Sequence, residues 1–284
     1  MSPPSPLLDT ATASARAGGA VLRRLFGDSA LDVRRKGAND FVTRADRESE
    51  EAVISAIRER FPDHRILTEE AGVLDGGDEH EWVIDPLDGT TNFLQGLPVF
   101  CVSVACRRRG ELLAGAVYEP LADRMFAAAR GAGATLNGEP IRVSRRAGLA
   151  DAFLATGYPF RAHAALDLYL EIFREIFLQV RAIRRCGAAA LDLAHTAAGV
   201  YDGFFEFRLS PWDLAAGVLL VREAGGRVSD LDGGERFLEN GNVVAGAPGV
   251  QPELLRVVAG RGGEAALAAL TSDPATREAP VGAR

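Results

Sequence analysis

The chain has 284 residues, a net charge of −7 at neutral pH and a 47% content of hydrophobic residues. This length suits one large domain or two packed ones, with enough apolar surface for a core. A negative net charge does not favour a surface for nucleic acid or another polyanion. No apolar stretch is long enough to span a bilayer, and the N-terminus does not resemble a secretory signal. The three cysteines lack metal-type spacing, and an odd number of cysteines without a secretory signal indicates reduced thiols. We therefore expect a cytoplasmic protein without membrane contact.

The first half of the chain predicts two helices and an antiparallel sheet. Apolar residues recur at helical spacing over residues 7–26, and again from Asp46 to the proline at position 62. A short hairpin is predicted between these helices, and a second hairpin around Asn137 and Gly138. Strand-like runs separated by short turns indicate an antiparallel meander: residues 99–107, 112–118 and 124–129.

The second half has a different character, because short strands alternate there with helices. We therefore predict an N-terminal part over residues 1–147, which combines the helix pair with the antiparallel sheet and carries most of the candidate ligands. A C-terminal α/β part follows over residues 148–262 and completes the site. Residues 263–284 contain few bulky apolar side chains, so we expect a mobile tail.

The stretch over residues 82–93 is the most informative one in the chain. It begins with an apolar run that predicts a buried strand, which we expect to end at Pro86 between Asp85 and Asp88. The small and hydroxyl residues that follow are typical of the start of a helix. Carboxylates bind divalent cations, and a helix N-terminus attracts phosphate, so the combination indicates metal-assisted phosphate chemistry. The alternative is that both aspartates are ordinary turn residues.

Three further acidic residues stand at element ends elsewhere in the chain. Asp46 and Asp213 lie in the first turns of predicted helices, and Glu69 follows a short strand and precedes a polar loop over residues 74–79. Helix capping is the alternative interpretation of Asp46 and Asp213, since acids favour helix N-termini. If all five carboxylates converge, however, they repel one another unless a cation neutralises them.

Four motifs, in this order and spacing, resemble those of the inositol monophosphatase family of lithium-sensitive, magnesium-dependent sugar phosphatases. The motifs are Asp-Phe-Val-Thr-Arg-Ala-Asp at residues 40–46, Thr-Glu-Glu at 68–70, Trp-Val-Ile-Asp-Pro-Leu-Asp-Gly-Thr-Thr-Asn-Phe at 82–93 and Trp-Asp-Leu-Ala-Ala-Gly at 212–217. The likeness covers about residues 7–260. It implies a layered α/β fold, an alternating α-β-α-β-α sandwich of the type shared with fructose-1,6-bisphosphatase. It also implies a homodimer.

The resemblance further implies a metal site and a catalytic set. One Mg²⁺ would be held by Glu69, Asp85 and the Leu87 carbonyl, and a second by Asp85, Asp88 and Asp213; some relatives hold a third ion near Glu69. Asp46 and Thr90 would orient the attacking water and accept its proton, with Glu69 as a further catalytic residue. Lys36 matches a family lysine near the metals, although a solvated charge at the hairpin tip explains it equally well.

The substrate site is also implied by the resemblance, which is to the branch that hydrolyses inositol phosphate. The backbone of Gly89 and Thr90, with Thr91 beside them, would cradle the phosphate, and the remaining contacts to the inositol hydroxyls would come from Asp88, Ala188, Ala189 and Glu206. Ala188 stands where relatives often have serine or threonine, so one side-chain contact to the sugar is missing.

We therefore expect a phosphatase for myo-inositol monophosphate and related sugar or polyol phosphates. The alternatives are a histidinol-phosphate or fructose-1,6-bisphosphate phosphatase. A different class of function is suggested by the pattern Arg-Arg-x-Gly-x-Ala-Ala-Leu-Asp-Leu-Ala at residues 184–194, which resembles relatives linked to transcription of ribosomal RNA genes. That pattern predicts a contact with RNA polymerase alongside the enzymatic activity.

Overall fold

The computed structural model describes residues 5–28, 31–37, 40–158 and 163–271. Helices and strands alternate along much of this part of the chain, and none of its helices combines the length and the apolar character needed to cross a membrane. The α-helices are α1 (Pro6–Leu25), α2 (Arg44–Arg60), α3 (Thr90–Leu94), α4 (Leu166–Phe177), α5 (Ala189–Ala197), α6 (Pro211–Glu223), α7 (Phe237–Asn240), α8 (Gln251–Gly260) and α9 (Gly263–Thr271).

The described strands form one hairpin and two larger sheets. The hairpin pairs β1 (Arg34–Gly37) with β2 (Asp40–Val42). The larger sheet has eight strands in the order β10-β9-β8-β7-β6-β5-β3-β4, where these are β3 (His64–Thr68), β4 (Gly72–Leu74), β5 (Gly77–Asp88), β6 (Cys101–Arg108), β7 (Glu111–Glu119), β8 (Arg124–Ala129), β9 (Gly133–Leu136) and β10 (Glu139–Ile141). The smaller sheet has five strands in the order β12-β11-β13-β15-β14, where these are β11 (Phe153–Thr156), β12 (Ala182–Arg184), β13 (Gly203–Glu206), β14 (Arg227–Ser229) and β15 (Val243–Gly246).

The two sheets and the helices stack in five layers. α1 and α2 cover one face of the larger sheet, and their core includes the fully buried Trp82. α5 and α6 lie between the two sheets, and α4 and α8 cover the outer face of the smaller sheet. β13 shows how one strand serves two cores, because Phe204 points to the middle layer and Phe205 to the outer one. The predicted α-β-α-β-α sandwich is therefore confirmed.

The predicted hairpins and the meander are present. β1 and β2 pair antiparallel, and β6, β7 and β8 form the meander. The turn between β9 and β10 consists of Asn137 and Gly138, both with positive φ, as a tight hairpin requires. The division at residue 147 stays a prediction.

Three expectations about the secondary structure were wrong. β5 does not stop at Pro86 but pairs with β6 through Asp88, because an irregularity between Asp85 and Asp88 lets the pairing resume after the proline. The supposed polar loop over residues 74–79 belongs largely to β4 and β5. The segment predicted as a tail begins with a helix, α9, which is anchored by the buried Leu267; residues 272–284 lie outside the described part of the chain.

Two glycines, one in α1 and one in α8, offer a matched test of the packing. A Cβ on Gly19 would stand 2.4 Å from the Tyr118 ring, whereas a Cβ on Gly260 would meet nothing within 4 Å. We expect Gly19→Ala to destabilise the fold by about 1–3 kcal/mol, since a well-packed core resists added volume. Gly260→Ala should be neutral or stabilise by up to about 1 kcal/mol. Urea unfolding of both variants checks this; equal effects would contradict the close contact of α1 with β7.

Candidate active site

The irregular end of β5 sets the position of the central carboxylates. Asp85 is paired with Ser103 and Asp88 with Cys101, on either side of the break in the pairing. Asp85 accepts a hydrogen bond from the Leu87 amide at 2.9 Å, which fixes its carboxylate within the turn. Gly89 follows with a φ of 95°, and a Cβ there would stand 2.8 Å from the Val99 carbonyl oxygen. Only glycine fits this backbone and this close approach.

Asp88 lies at the N-terminus of a helix other than the one that follows it in sequence. Its carboxylate accepts hydrogen bonds from the amides of Ala189, Ala190 and Leu191 at 3.2, 2.8 and 3.4 Å. Such amides are the unsatisfied donors of a helix N-terminus. Burial and repulsion from Asp213 nevertheless raise the pKa of Asp88 to about 7. Asp88 therefore joins the larger sheet to the middle layer and carries part of the site's excess negative charge.

Asp85 experiences this excess of charge most strongly. Its side chain is only 1% exposed. Burial raises its pKa well above the ordinary value, and the neighbouring charges of Glu69, Asp88 and Asp213 raise it further. Four carboxylates from three distant parts of the sequence are thus close enough to repel one another, as the sequence predicted for a set that meets around a cation.

Asp46 and Thr90 form a hydrogen-bonded pair between α2 and α3. The Thr90 hydroxyl lies 3.2 Å from one carboxylate oxygen of Asp46 and 3.0 Å from the Leu87 carbonyl oxygen. The other Asp46 oxygen accepts bonds from the Thr43 hydroxyl and amide at 2.6 and 2.8 Å. Asp46 therefore caps α2, as the alternative interpretation proposed, and still presents one oxygen to Thr90. Burial raises its pKa, whereas the bonds from Thr43 and Thr90 lower it.

Asp213, like Asp46, both caps a helix and lies close to the other carboxylates of the site. One of its oxygens accepts a 2.7 Å hydrogen bond from the Ser210 amide, in a capping box at the start of α6. Its charge also raises the pKa of Asp85 and Asp88, although burial is the larger cause in both. Capping and proximity to the site are therefore compatible for this residue, as they are for Asp46.

The far side of the cavity is built from the smaller sheet and the loop before α5. Glu206 is buried at the end of β13, and its carboxylate oxygen lies 1.8 Å from where a Cβ on Gly157 would stand. Tyr158 and Arg185 are exposed and stack on each other, with the guanidinium carbon 5.1 Å from the ring centroid. Asn92 of α3 joins the two sides, since its amide donates 2.8 Å bonds to the carbonyls of Val99 and Cys186.

One cavity of about 370 Å³ collects nearly all of the predicted residues. The lining residues that the sequence predicted are Glu69, Asp85, Leu87, Asp88, Gly89, Thr90, Thr91, Ala188, Ala189, Glu206 and Asp213. Asp46 does not line it but reaches it through Thr90. The side chain of Lys36 lies outside what the structure describes. The sequence interpretation missed six lining residues, which are Asn92, Gly157, Tyr158, Arg185, Gly187 and Leu209. Asn92, Arg185 and Gly187 stand within quoted motifs, whereas nothing in the sequence singled out residues 157, 158 and 209.

The donor set suits a hard divalent cation. Carboxylates and a backbone carbonyl are the oxygen ligands that Mg²⁺ takes, and this ion keeps several waters instead of using a complete protein cage. Among the described residues, no group of three or more acidic, histidine or cysteine side chains forms such a ready-made cage. Backbone amides bond one oxygen each of Asp85 and Asp213 and both oxygens of Asp88. The remaining oxygens and the repulsion among the four acids fit partly hydrated ions.

Comparison with known proteins agrees with this geometry. A sequence profile described as the inositol monophosphatase family matches residues 4–261. A protein of Pseudomonas aeruginosa named Nus factor SuhB is 49% identical over 247 residues, which cover 85% of this chain and 91% of that protein. An inositol-1-monophosphatase of Mesorhizobium japonicum is 44% identical over 256 residues, 89% of this chain and 96% of that protein.

A solved structure gives the same answer for the fold. The crystal structure of the extragenic suppressor protein suhB from Bartonella henselae superposes with a TM-score of 0.87 at 41% identity, covering 89% of this chain and 98% of that one. The family is generally Mg²⁺-dependent, which agrees with the carboxylate-lined cavity. From the profile match, the relatives and the shared fold, the chain belongs to the inositol monophosphatase family.

Proposed function

We propose that the chain is a Mg²⁺-dependent phosphomonoesterase that hydrolyses myo-inositol monophosphate, and related polyol phosphates, to the free alcohol and phosphate. The observation that carries the proposal is the cavity in which four mutually repelling carboxylates face the Asp46–Thr90 pair. The relative named inositol-1-monophosphatase supports the choice of substrate.

The metal ligands in this proposal are Glu69, Asp85, Leu87 through its carbonyl, Asp88 and Asp213, for two or three Mg²⁺. Bound Mg²⁺ lowers the pKa of a water and stabilises charge on the phosphoryl and leaving oxygens. These residues would hold the ions at a defined place because their backbone belongs to regular elements: the last paired residues of β5 for Asp85 and Asp88, and the first turn of α6 for Asp213.

The chain's own residues would move the proton in this reaction. The Thr90 hydroxyl has one proton and two acceptors within reach, Asp46 and the Leu87 carbonyl. Donation to Asp46 would leave the oxygen lone pairs available for a water in the cavity. That water's proton would pass to the Thr90 oxygen while the hydroxyl proton moves to Asp46. Burial raises the pKa of Asp46, which makes it a better acceptor. Glu69, on the same cavity wall, would help to orient the water.

The alcohol would bind on the side of Glu206, Ala188 and Ala189. Backbone amides near Gly89 and Thr90, with the Thr91 side chain, would hold the phosphate. Each oxygen of Glu206 can accept bonds from neighbouring hydroxyl groups of a polyol, and Asp88 lies on the wall between the two regions. Histidinol phosphate and fructose 1,6-bisphosphate are the alternative substrates, since they need the same metal core.

Phosphate release from myo-inositol 1-phosphate, with Mg²⁺ and with a chelator, tests this proposal. We expect Mg²⁺-dependent turnover by the wild type, and at least about a 100-fold loss in Asp88→Asn, because removing one group that stabilises transition-state charge has an effect of this size. A panel with histidinol phosphate and fructose 1,6-bisphosphate tests the substrate. Equal rates on all esters, unchanged in Glu206→Ala, would exclude inositol phosphate as the preferred substrate.

We also propose a contact with RNA polymerase, alongside the activity. The relative named Nus factor SuhB supports this proposal, as do three exposed arginines in and beside β12: Arg181, Arg184 and Arg185. Affinity capture of the polymerase from a bacterial lysate should succeed with the wild type and with Asp88→Asn, and weaken in Arg181→Glu. Loss of capture in Asp88→Asn alone would contradict a contact separate from the active site.

A homodimer and a cytoplasmic location complete the proposal. The exposed apolar side chains of α4, among them Leu166, Leu170 and Phe177, could be covered by a second copy. Light scattering of the purified chain measures the oligomeric state, and a monomer at all concentrations would contradict the dimer. Fractionation of cells that express the chain tests the location.

A further inference from the structure

Arg185 lines the cavity, although the metal site does not require it. Its guanidinium stacks on Tyr158 and lies over Gly187, where a Cβ would stand 2.3 Å from one of its nitrogens. Asn92 fixes the same loop by donating to the Cys186 carbonyl. Any larger residue at position 187 would meet the guanidinium, so glycine allows the side chain to lie along the cavity wall.

The preceding residue provides a contrast. Arg184 also stacks on an aromatic ring, with its guanidinium carbon 4.8 Å from the centroid of Phe153, yet it does not line the cavity. The two arginines therefore share charge, exposure and the kind of stacking partner, and differ in whether they face the site.

Arg185 and Glu206 place opposite charges on the alcohol side of one cavity. Burial and repulsion from Asp192 and Asp213 raise the pKa of Glu206, while the Arg185 charge lowers it, so the two side chains interact. An ionised Glu206 carboxylate accepts hydrogen bonds but donates none, and a guanidinium donates hydrogen bonds but accepts none. A neutral alcohol with two neighbouring hydroxyls satisfies both groups at once. A substrate ammonium group is repelled by Arg185.

We propose that Arg185, held by Tyr158, is a specificity-determining residue that selects neutral polyol phosphates over amino-alcohol phosphates. This inference rests on the proposed phosphatase function. It identifies the part of the substrate that the cavity recognises, namely the neighbouring hydroxyl groups of a neutral alcohol. Arg185 acts on the bound alcohol and not on the phosphate, so its loss should weaken substrate binding more than the chemical step.

The test compares Arg185→Gln with Arg184→Gln on four esters: inositol 1-phosphate, histidinol phosphate, fructose 1,6-bisphosphate and p-nitrophenyl phosphate. Arg185→Gln should lower kcat/KM for inositol 1-phosphate about 10- to 100-fold, mainly through KM, because a hydrogen bond from a charged group is lost. Its kcat/KM for p-nitrophenyl phosphate should stay within about twofold, and the ratio of histidinol phosphate to inositol 1-phosphate should rise about tenfold or more. Arg184→Gln should resemble the wild type.

Two further variants test the role of the ring. Tyr158→Leu removes the stacking and should lower kcat/KM for inositol 1-phosphate about two- to fivefold, since exposed cation–π pairs are weak. Tyr158→Phe keeps the ring and should resemble the wild type. If Tyr158→Leu has no effect on any ester while Arg185→Gln acts as expected, the ring does not hold the arginine and that part of the proposal is wrong.

A binding measurement separates this inference from the phosphatase proposal. Inositol 1-phosphate is titrated in the presence of Mg²⁺ into chains that carry Asp46→Asn, with and without Arg185→Gln or Arg184→Gln, and the heat of binding is recorded. Weaker binding only with Arg185→Gln supports the inference even if the wild type releases no phosphate, which would overturn the proposed activity alone. Equal behaviour of Arg185→Gln and Arg184→Gln in titration and kinetics would overturn the inference.

Discussion

Asp85→Asn should stabilise the metal-free protein while abolishing its activity. Asp85 is buried among three other carboxylates, so replacing it with a neutral amide removes repulsion from the folded state. We expect the metal-free melting temperature to rise by about 2–4 °C, which corresponds to about 1 kcal/mol in a chain of this size. Phosphate release should fall at least about 1000-fold, because metal ions supply several kcal/mol of transition-state stabilisation.

The opposite signs of these two effects distinguish a metal ligand from a structural carboxylate. Thermal unfolding with a chelator and with Mg²⁺ measures the first effect, and Mg²⁺ should raise the melting temperature of the wild type but far less that of Asp85→Asn. Asp75→Asn, at an exposed position, is the matched control and should change neither quantity. A large fall in metal-free stability for Asp85→Asn would show that this carboxylate holds the fold together without a cation.

The same repulsion predicts how stability depends on pH. A carboxyl whose pKa is raised by folding binds its proton more tightly in the folded state than in the unfolded state. The loss of folding stability that the ionised carboxylates cause is therefore absent at low pH. It grows as the pH rises towards the folded pKa, which is about 7 for Asp88. Stabilisation by saturating Mg²⁺ should thus be larger at about pH 8 than at about pH 6. If the difference in metal-free melting temperature between wild type and Asp85→Asn does not vary with pH, this prediction is wrong.

Asp46→Asn and Thr90→Val should each lower kcat by about 100- to 10,000-fold, the usual contribution of general acid–base catalysis. The reason is the Thr90–Asp46 hydrogen bond, which joins a cavity-lining hydroxyl to a buried proton acceptor. KM for inositol 1-phosphate and stabilisation by Mg²⁺ should change little, since neither side chain is assigned to the metals. Steady-state kinetics and the Mg²⁺-dependent melting shift measure the two quantities.

Conservative variants test whether the effect is chemical. Thr90→Ser keeps the hydroxyl and should retain kcat within about tenfold of the wild type. Asp46 also caps α2, so part of the Asp46→Asn effect could be lost helix stability; asparagine is itself a capping residue, and the melting temperature should fall by only a few degrees. Equal loss of kcat in Thr90→Val and Thr90→Ser would show that the hydroxyl plays no part.

The local sequence was sufficient for most elements and for the family. Apolar periodicity predicts α1 and α2, the turn residues predict the hairpins, and the four motifs lead to the correct fold. The sequence was misleading where pairing between strands overrides local preference. Pro86 does not end β5 because β6 continues to pair beyond it, and α9 forms because Leu267 finds a buried position against α8 and the outer layer.

By itself, the sequence determined which acids are present and that all except Asp85 stand at an element end, because capping, turn and strand preferences act within a few residues. Only the tertiary structure decided that Asp88 occupies the N-terminus of α5 and that Asp213 lies within reach of Asp85. It also decided that Arg185 faces the cavity while Arg184 does not. These relations join residues about 100 or more positions apart, and packing of the two sheets through the middle helices brings them together.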